Sequence, residues 1–207
     1  LNVVRKTENA LAEQSAARGY LPIDGIAHYN MGAQHLLLGR DALPIHQGRA
    51  VTIQSLGGTG ALKLGADFLK TVVPDAVVAI SNPSWENHRA LLEKAGFTVV
   101  AYPYYNAQTQ GLNIEGMLTF LQQLAPQSIV VLHACCHNPT GIDPTFAQWQ
   151  RIAQVLKANQ LIPFMDIAYQ GFGAGLDEDA KAVRYLADQG IPMLVSSSFS
   201  KSFALYG

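Results

Sequence analysis

From Val51 onward, short apolar runs alternate with longer segments in which apolar residues recur at helical spacing. The runs show little polar alternation, which is typical of strands buried on both faces of a parallel sheet. They predict six strands, at residues 51–56, 76–80, 97–102, 128–133, 161–165 and 193–197.

The amphipathic segments between these runs predict helices. Gly96 and Gly190 follow two of them, at the position where a helix C-terminus favours glycine. Near the N-terminus, residues 2–18 predict a helix that ends at Gly19, and residues 20–47 predict a loop with at most one short helix. The later helices are predicted at 61–71, 87–95, 114–124, 146–159 and 179–189.

Strands and helices that alternate through short loops predict an α/β fold of three layers, a mostly parallel sheet with helices on both faces. We divide the chain into an N-terminal helix and loop region, residues 1–47, and a large domain, residues 48–207. The chain starts without Met and stops soon after an apolar turn sequence. We therefore expect a truncated large domain from a longer protein, although a processed complete domain is the alternative.

Polar, chemically distinctive segments follow five of the predicted strands. Ligands of open α/β sheets bind outside the carboxyl ends of the strands. We therefore expect these segments to meet at one edge of the sheet. They are residues 57–60, 81–85, 133–141, 166–169 and 198–201.

The charge composition restricts the class of partner. The 207 residues carry 14 basic and 15 acidic side chains, a formal charge of −1, which argues against nucleic acid or an anionic membrane as the main partner. Only 14% of residues are charged, against roughly 25% in ordinary domains, so we expect another domain or subunit to cover part of the surface. The two cysteines, Cys135 and Cys136, are adjacent, which favours a cytoplasmic protein without structural disulfides.

Two segments suggest anion and carbonyl chemistry. The loop Gly57-Gly58-Thr59-Gly60 precedes a predicted helix, so it is either a phosphate cradle or a plain tight turn. Lys201 lies among hydroxyl and aromatic side chains. A partly desolvated lysine there forms an imine with an aldehyde, whereas most lysines are simply exposed.

Several other side chains have both a functional and a structural interpretation. Asp166 ends an apolar strand and needs a polar partner, which a ligand or a backbone contact would provide. Tyr169 and Trp85 would contact a flat ligand or pack in the core, and His88 would bond a carboxylate or act as a base. The run from His133 to His137 lacks the ligand spacing of a structural zinc site, and we predict no metal.

Four segments follow one another along the chain: Ser81-Asn82-Pro83-Ser84-Trp85, Cys136-His137-Asn138-Pro139-Thr140-Gly141, Asp166-Ile167-Ala168-Tyr169-Gln170-Gly171 and Ser198-Phe199-Ser200-Lys201. In this order they resemble the class I aspartate and aromatic-amino-acid aminotransferases, which have the aspartate aminotransferase fold and use pyridoxal phosphate. The resemblance is greatest to the bacterial aromatic-amino-acid enzymes, at residues 171–175 and 203–207.

The resemblance implies a role for each of these side chains. Lys201 would form an imine with the cofactor aldehyde and, once freed, carry a proton between the substrate α-carbon and the cofactor. Asp166 would pair with the pyridine nitrogen and keep it protonated, with His88 behind it. Tyr169 and Asn138 would donate hydrogen bonds to the phenolic oxygen of the ring.

The remaining cofactor contacts are also implied by the resemblance. Trp85 would stack on the ring, and Gly58, Thr59 and Ser198 would hold the phosphate. Tyr20 would reach the phosphate of the neighbouring subunit's cofactor, in a homodimer with shared active sites.

The activity that the resemblance implies is ping-pong transamination between an aromatic or dicarboxylic amino acid and 2-oxoglutarate. The family's substrate-carboxylate arginines and its C-terminal small domain lie outside this chain, so we expect the fragment alone to be inactive. Two alternatives stay open: an inactive, truncated cofactor-binding module, and another pyridoxal-phosphate reaction, such as decarboxylation or elimination, on the same scaffold.

Overall fold

The computed structural model describes residues 1–14 and 19–206 and contains a five-stranded parallel sheet. The strands lie in the order β2-β1-β5-β6-β7. A small antiparallel hairpin, β3 with β4, stands beside the sheet. The strands are β1 Val77–Asn82, β2 Thr98–Pro103, β3 Tyr105–Asn106, β4 Gly111–Leu112, β5 Ile129–His133, β6 Ile162–Ile167 and β7 Leu194–Ser197.

Helices cover both faces of the sheet, which confirms the predicted three-layer α/β architecture. One buried cluster contains residues of α4 and α5, and a second contains residues of α6, α7 and α9. The helices are α1 Asn2–Glu13, α2 Ala27–Leu38, α3 Leu43–His46, α4 Gly57–Val72, α5 Glu86–Lys94, α6 Ile114–Gln122, α7 Phe146–Ala158, α8 Leu176–Asp179 and α9 Lys181–Asp188.

Burial on both faces explains why the strands of the sheet read as unbroken apolar runs. Alternate residues of β5 enter the two clusters: Val130 and Leu132 join one, and Ile129 and Val131 join the other. Each buried aliphatic side chain contributes about 1.5–3 kcal/mol relative to exposure.

The start of α7 is specified locally, since Thr145 and Gln148 form a capping box there.

The predicted strand at 51–56 is wrong, because this segment runs as an extended loop outside the sheet. The backbone N–H of Gln54 donates to Asp24 O rather than to a neighbouring strand. Val51 is 83% exposed and Leu56 is 94% exposed. The apolar side chains Val51 and Leu56 therefore lie on the surface of the chain. Helix α4 begins at Gly57, earlier than the predicted start at residue 61.

The N-terminal region contains more helix than predicted. Residues 20–47 hold the twelve-residue α2 as well as the short α3. Contacts from distant residues fix α2, because Arg184 donates to Leu36 O and Leu37 O at the end of this helix. The first helix ends at Glu13 with Gln14 as its C-cap, and residues 15–18 of the predicted helix fall outside the described residues. Among the described helices, none has the length and apolar character needed to cross a bilayer.

Candidate functional site

The carboxyl ends of the strands surround a cavity of about 330 Å³. Segments that follow β1, β5, β6 and β7 line it together with the start of α4, which confirms that the five polar segments meet at one edge of the sheet. The lining residues are Gly58, Thr59, Leu62, Trp85, His133, Cys135, Asn138, Asp166, Ala168, Tyr169, Ser198, Ser200, Lys201 and Tyr206.

Asp166 is the acidic group of the cavity, and His88 holds it from behind. Asp166 Oδ2 lies 2.8 Å from His88 Nε2, and His88 is 1% exposed. The other ring nitrogen, Nδ1, lies 2.9 Å from Ser84 Oγ. Donation from Nε2 to the Asp166 carboxylate and acceptance at Nδ1 from the Ser84 hydroxyl satisfy both contacts. The carboxylate can then face a cationic or protonated ligand group.

Lys201 supplies the amine of the cavity. It follows β7 in a turn, and its Nζ lies 4.7 Å from the centre of the Tyr169 ring. Lys201 and Tyr169 are both half-buried. A cation above an aromatic face is held by the ring quadrupole, so Tyr169 places the amine in the cavity that also contains Asp166.

The start of α4 forms an anion cradle. Within the described part of the chain, no acceptor contacts the backbone N–H groups of Gly58 and Thr59, and α4 has no side-chain cap. A Cβ atom built at Gly58 would lie 3.1 Å from Ser198 Cβ, so a glycine allows this close approach. Free N–H groups at the start of a sixteen-residue helix favour a phosphate or carboxylate ligand.

Trp85 and Asn138 complete the predicted wall of the cavity. The Trp85 ring meets the His88 ring edge-on, with 5.4 Å between the centroids. Asn138 is half-buried, and its backbone N–H donates to His133 Nδ1 at 3.2 Å.

The structure places two predicted residues outside the cavity wall. His88 lies behind Asp166, as the resemblance implied. Tyr20 is fully exposed and is absent from the residues that line the cavity of its own chain. Its predicted contact with a neighbouring subunit stays a prediction.

Sequence reasoning missed several residues that line the cavity, notably Ser200, His133 and Cys135. Ser200 N–H donates to Ser198 Oγ, and the Ser198 hydroxyl in turn donates to Ser200 Oγ at 3.2 Å. Both serines were visible in the sequence as neighbours of Lys201, so their position after a strand was the available signal. His133 and Cys135 belong to the polar segment 133–141, but as individual side chains they were considered only as members of a rejected zinc motif.

Two buried histidines shape the electrostatics beside the cavity. Burial, followed by the charges of His137 and His88, lowers the pKa of His133 well below its usual range. Burial lowers the pKa of His137 to about 4, and the charge of His88 adds to this effect. Both rings are therefore neutral at pH 7, which leaves the negative charge of Asp166 without a competing cation from these two histidines.

Cys135, Cys136 and Asp179 form a small cluster near the cavity, with potential ligand atoms within 4.8 Å of one another. The Asp179 carboxylate already accepts three backbone N–H groups, from Gly171, Gly173 and Ala174. Burial raises the pKa of both thiols, so both are protonated at neutral pH. The absence of a metal site stays a prediction.

The cavity satisfies the requirements of pyridoxal phosphate. The free N–H groups of the α4 start suit its phosphate, the Asp166 carboxylate suits its pyridine nitrogen, and the Lys201 amine suits its aldehyde. Gly58, Asp166 and Lys201 all line the same cavity. These residues fit the cofactor.

Comparisons with known proteins agree with this chemistry. The family described as "Aminotransferase class I and II" matches residues 1–207. The aspartate aminotransferase of Pseudomonas aeruginosa is 59% identical over 207 residues, which are 100% of this chain and 52% of that protein. The tyrosine aminotransferase of Klebsiella pneumoniae is 53% identical, with 100% of this chain and 52% of that protein covered.

A solved structure has the same fold. The aromatic-amino-acid aminotransferase of Burkholderia pseudomallei, crystallised covalently bound to pyridoxal phosphate, superposes with a TM-score of 0.99 at 61% identity. The match covers 100% of this chain and 52% of that one, so the chain spans about half the length of the relatives that it matches. The match of the family over the whole sequence, together with these relatives, shows that the chain belongs to the class I and II aminotransferases.

Proposed function

We propose that the protein that contains this chain is a pyridoxal-phosphate-dependent aminotransferase. It exchanges an amino group between an aromatic or dicarboxylic amino acid and 2-oxoglutarate by a ping-pong mechanism. The observation that carries this proposal is the meeting of Lys201, Asp166 and the α4 start in one cavity. Relatives named as aspartate, tyrosine and aromatic-amino-acid aminotransferases support the substrate classes.

The side chains of the cavity divide the work of holding the cofactor. Gly58, Thr59 and Ser198 would bind the phosphate, and Asp166, fixed by His88, would bind the pyridine nitrogen. When bound, pyridoxal phosphate supplies an aldehyde that condenses with amines and a ring that accepts electrons.

Further contacts would orient the ring. Trp85 would stack on its face, while Tyr169 and Asn138 would donate to its phenolic oxygen. The resulting orientation would bring the aldehyde to the side of the cavity where Lys201 lies.

Lys201 performs the proton transfer. As a general base, its Nζ would take a proton from the substrate α-carbon. As a general acid, it would then donate this proton to the cofactor. The Tyr169 ring below Nζ keeps the amine in reach during both transfers.

We further propose that the active protein is a cytoplasmic homodimer. Residues 1–47 would lead into the large domain, residues 48–207, and the small domain and substrate arginines would lie in the rest of the protein. Exposed apolar side chains support a covered surface, since Tyr20, Ile23 and Leu56 are each more than 90% exposed. Tyr20 would contact the partner's cofactor phosphate.

Borohydride trapping tests the proposed function. The longest reading frame that contains this chain is incubated with pyridoxal phosphate, reduced, digested and examined by mass spectrometry. We expect the cofactor on Lys201, and Lys201→Ala should abolish both labelling and transamination. The matched control is Lys94→Ala, at an exposed lysine of α5. Labelling of another lysine, or transamination by Lys201→Ala, would refute the proposal.

Substrate exchange separates transamination from the other reactions of this cofactor. With tyrosine or aspartate alone, we expect one equivalent of the corresponding 2-oxo acid and a changed absorption spectrum, which 2-oxoglutarate then reverses. Release of carbon dioxide or ammonia would identify a decarboxylase or a lyase. A bound cofactor with no spectral response would identify an inactive module.

A further inference from the structure

His133 occupies a central place beside the cavity and has no role in the proposed function. It ends β5 and pairs in register with Asp166 of β6. Residues paired across parallel strands project from the same face of a sheet, so His133 and Asp166 lie side by side. The imidazole is 8% exposed and lies between the rings of His88 and His137, at centroid distances of 4.9 Å and 4.3 Å.

The two ring nitrogens of His133 have different surroundings. Nδ1 accepts the backbone N–H of Asn138 at 3.2 Å. A nitrogen that accepts carries no proton, so the neutral ring carries its proton on Nε2. Nε2 is buried and has no hydrogen-bond partner among the described residues. One hydrogen bond thus fixes the ring, and its donor, the Asn138 backbone, belongs to a residue that lines the cavity.

The surroundings of the ring preserve this contact. A protonated Nδ1 would lose its ability to accept from Asn138. Burial between two other imidazoles disfavours a charged ring, because each neighbour that gains a proton repels the next. The burial of His133 beside the other histidines therefore keeps its ring neutral, and the Asn138 N–H selects the neutral tautomer whose Nδ1 can accept.

We propose that His133 is a positioning residue of the cofactor site, which acts through Asn138 as a neutral imidazole protonated on Nε2. Its Nδ1 fixes the Asn138 backbone, and this directs the Asn138 amide toward the cofactor. The inference rests on the proposed function, in which Asn138 contacts the phenolic oxygen of the ring. It adds a residue that touches neither the cofactor nor the substrate.

The tautomer is measured directly by nuclear magnetic resonance. In protein labelled with ¹⁵N-histidine, long-range correlations distinguish a protonated Nε2 from a protonated Nδ1, and the His133 signals are assigned by their loss in His133→Asn. We expect the Nε2-protonated neutral form at pH 7, before and after cofactor is added. A proton on Nδ1, or on both nitrogens, would overturn the proposal. This measurement needs no bound cofactor, so it stands even if the proposed function fails.

Two substitutions separate the acceptor from the rest of the ring. His133→Asn places an amide oxygen near the position of Nδ1 and keeps an acceptor for Asn138, whereas His133→Phe removes it and keeps a ring. One hydrogen bond contributes about 0.5–1.5 kcal/mol, which corresponds to about a 2- to 10-fold change in affinity. We expect His133→Phe to weaken pyridoxal-phosphate binding by this factor and to shift the pH midpoint of the cofactor absorption band. His133→Asn should change both values less.

A double-mutant cycle tests whether His133 acts through Asn138. In an Asn138→Ala background, His133→Phe should weaken cofactor binding by less than 2-fold, because the side chain that it positions is gone. His137→Gln provides the matched control, since this buried histidine contacts Ser81 and Thr140 instead of Asn138. We expect its effect on cofactor binding to be the same in both backgrounds. Additive effects of His133→Phe and Asn138→Ala would show that His133 acts by another route.

Discussion

The backbone of Gly65 lies directly against the ring of Phe164. A Cβ atom at Gly65 would lie 2.6 Å from Phe164 Cζ, and Phe164 is 1% exposed. This contact lets α4 approach β6 closely and so places the α4 start, the proposed phosphate cradle, beside Ser198 of the segment after β7. A helical glycine, which usually weakens a helix, is here required by packing.

We predict that Gly65→Ala destabilises the protein by about 1–3 kcal/mol, because the buried ring cannot move without displacing its neighbours. The change should also weaken cofactor binding, since α4 would shift at its start. Urea denaturation and a pyridoxal-phosphate titration measure the two effects. Gly32→Ala is the control: outside the backbone of its own helix α2, no atom of the described residues lies within 4 Å of its added Cβ, and we expect an unchanged or slightly higher stability. Equal stabilities for both variants would disprove the packing argument.

Asp166 and His88 should contribute very unequally to activity. Asp166→Asn keeps the shape of the side chain but removes the charge that would hold a protonated ring nitrogen, and we expect kcat/KM to fall by about 100-fold or more. His88→Asn leaves the charge and removes one buried hydrogen bond, so we expect a loss of about 10-fold. Steady-state kinetics of the longest reading frame that contains this chain, with tyrosine and aspartate as substrates, measure both.

The control for these variants is Asp177→Asn, an aspartate whose side chain is 85% exposed and paired with Arg184. Its kcat/KM should stay within about 2-fold of the parent value, as surface ion pairs contribute little. A larger loss in His88→Asn than in Asp166→Asn would mean that His88, and not the carboxylate, faces the ring.

The sequence predicted the five strands of the sheet because burial on both faces leaves a continuous apolar run. The same logic failed at residues 51–56, since Val51 and Leu56 are apolar but exposed. A run of apolar residues is typical of a buried strand, but apolar side chains also lie on exposed loops, so the run alone does not identify a strand. Helix α2 was missed for a related reason: Arg184, far along the chain, binds its last turn.

Strand order and the family motifs were sufficient to predict that Lys201 and Asp166 lie at the same edge of the sheet. Lys201 and Asp166 each follow or end a predicted strand, so the topology brings them to one edge. The role of His133 depends on a ring nitrogen that binds a backbone N–H five residues later. Any histidine near a loop could make such a contact, so no residue pattern distinguishes it.

Asp179 should be essential for the loop that follows Tyr169. Its two oxygens accept three backbone N–H groups of residues 171–174, and it is 5% exposed. Asp179→Asn replaces one acceptor with a donor, so we predict a loss of about 3 kcal/mol and faster proteolysis in this loop. Asp188→Asn, at an exposed residue of α9, is the control. Urea denaturation and limited subtilisin digestion give the measurement, and equal cleavage rates would contradict the prediction.

The stability of the apoprotein should fall as the pH drops from about 6.5 to 4. An unfolded histidine titrates near pH 6.5, whereas burial lowers the pKa of folded His137 to about 4. Between these values the unfolded chain binds more protons than the folded chain, so the free energy of unfolding rises with pH. The contribution of His137 is complete above about pH 6.5. His137 alone contributes a slope of up to about 1.4 kcal/mol per pH unit in this window, and His133, whose pKa is also lowered, acts in the same direction.

A comparison of variants isolates this contribution. The free energy of unfolding is measured in urea at half-unit steps from pH 4.5 to 7.5 for the parent, His137→Gln and His46→Gln. Carboxylates contribute to the pH dependence of all three alike. His46 is exposed, so its variant should keep the parent slope, while His137→Gln should show a shallower slope between about pH 5 and 6.5. A His137→Gln slope equal to that of the parent would mean that His137 gains its proton over the same pH range in the folded and the unfolded chain. That result would contradict the lowered pKa that we ascribe to burial of this ring, which stacks on Tyr104 with 3.8 Å between the centroids.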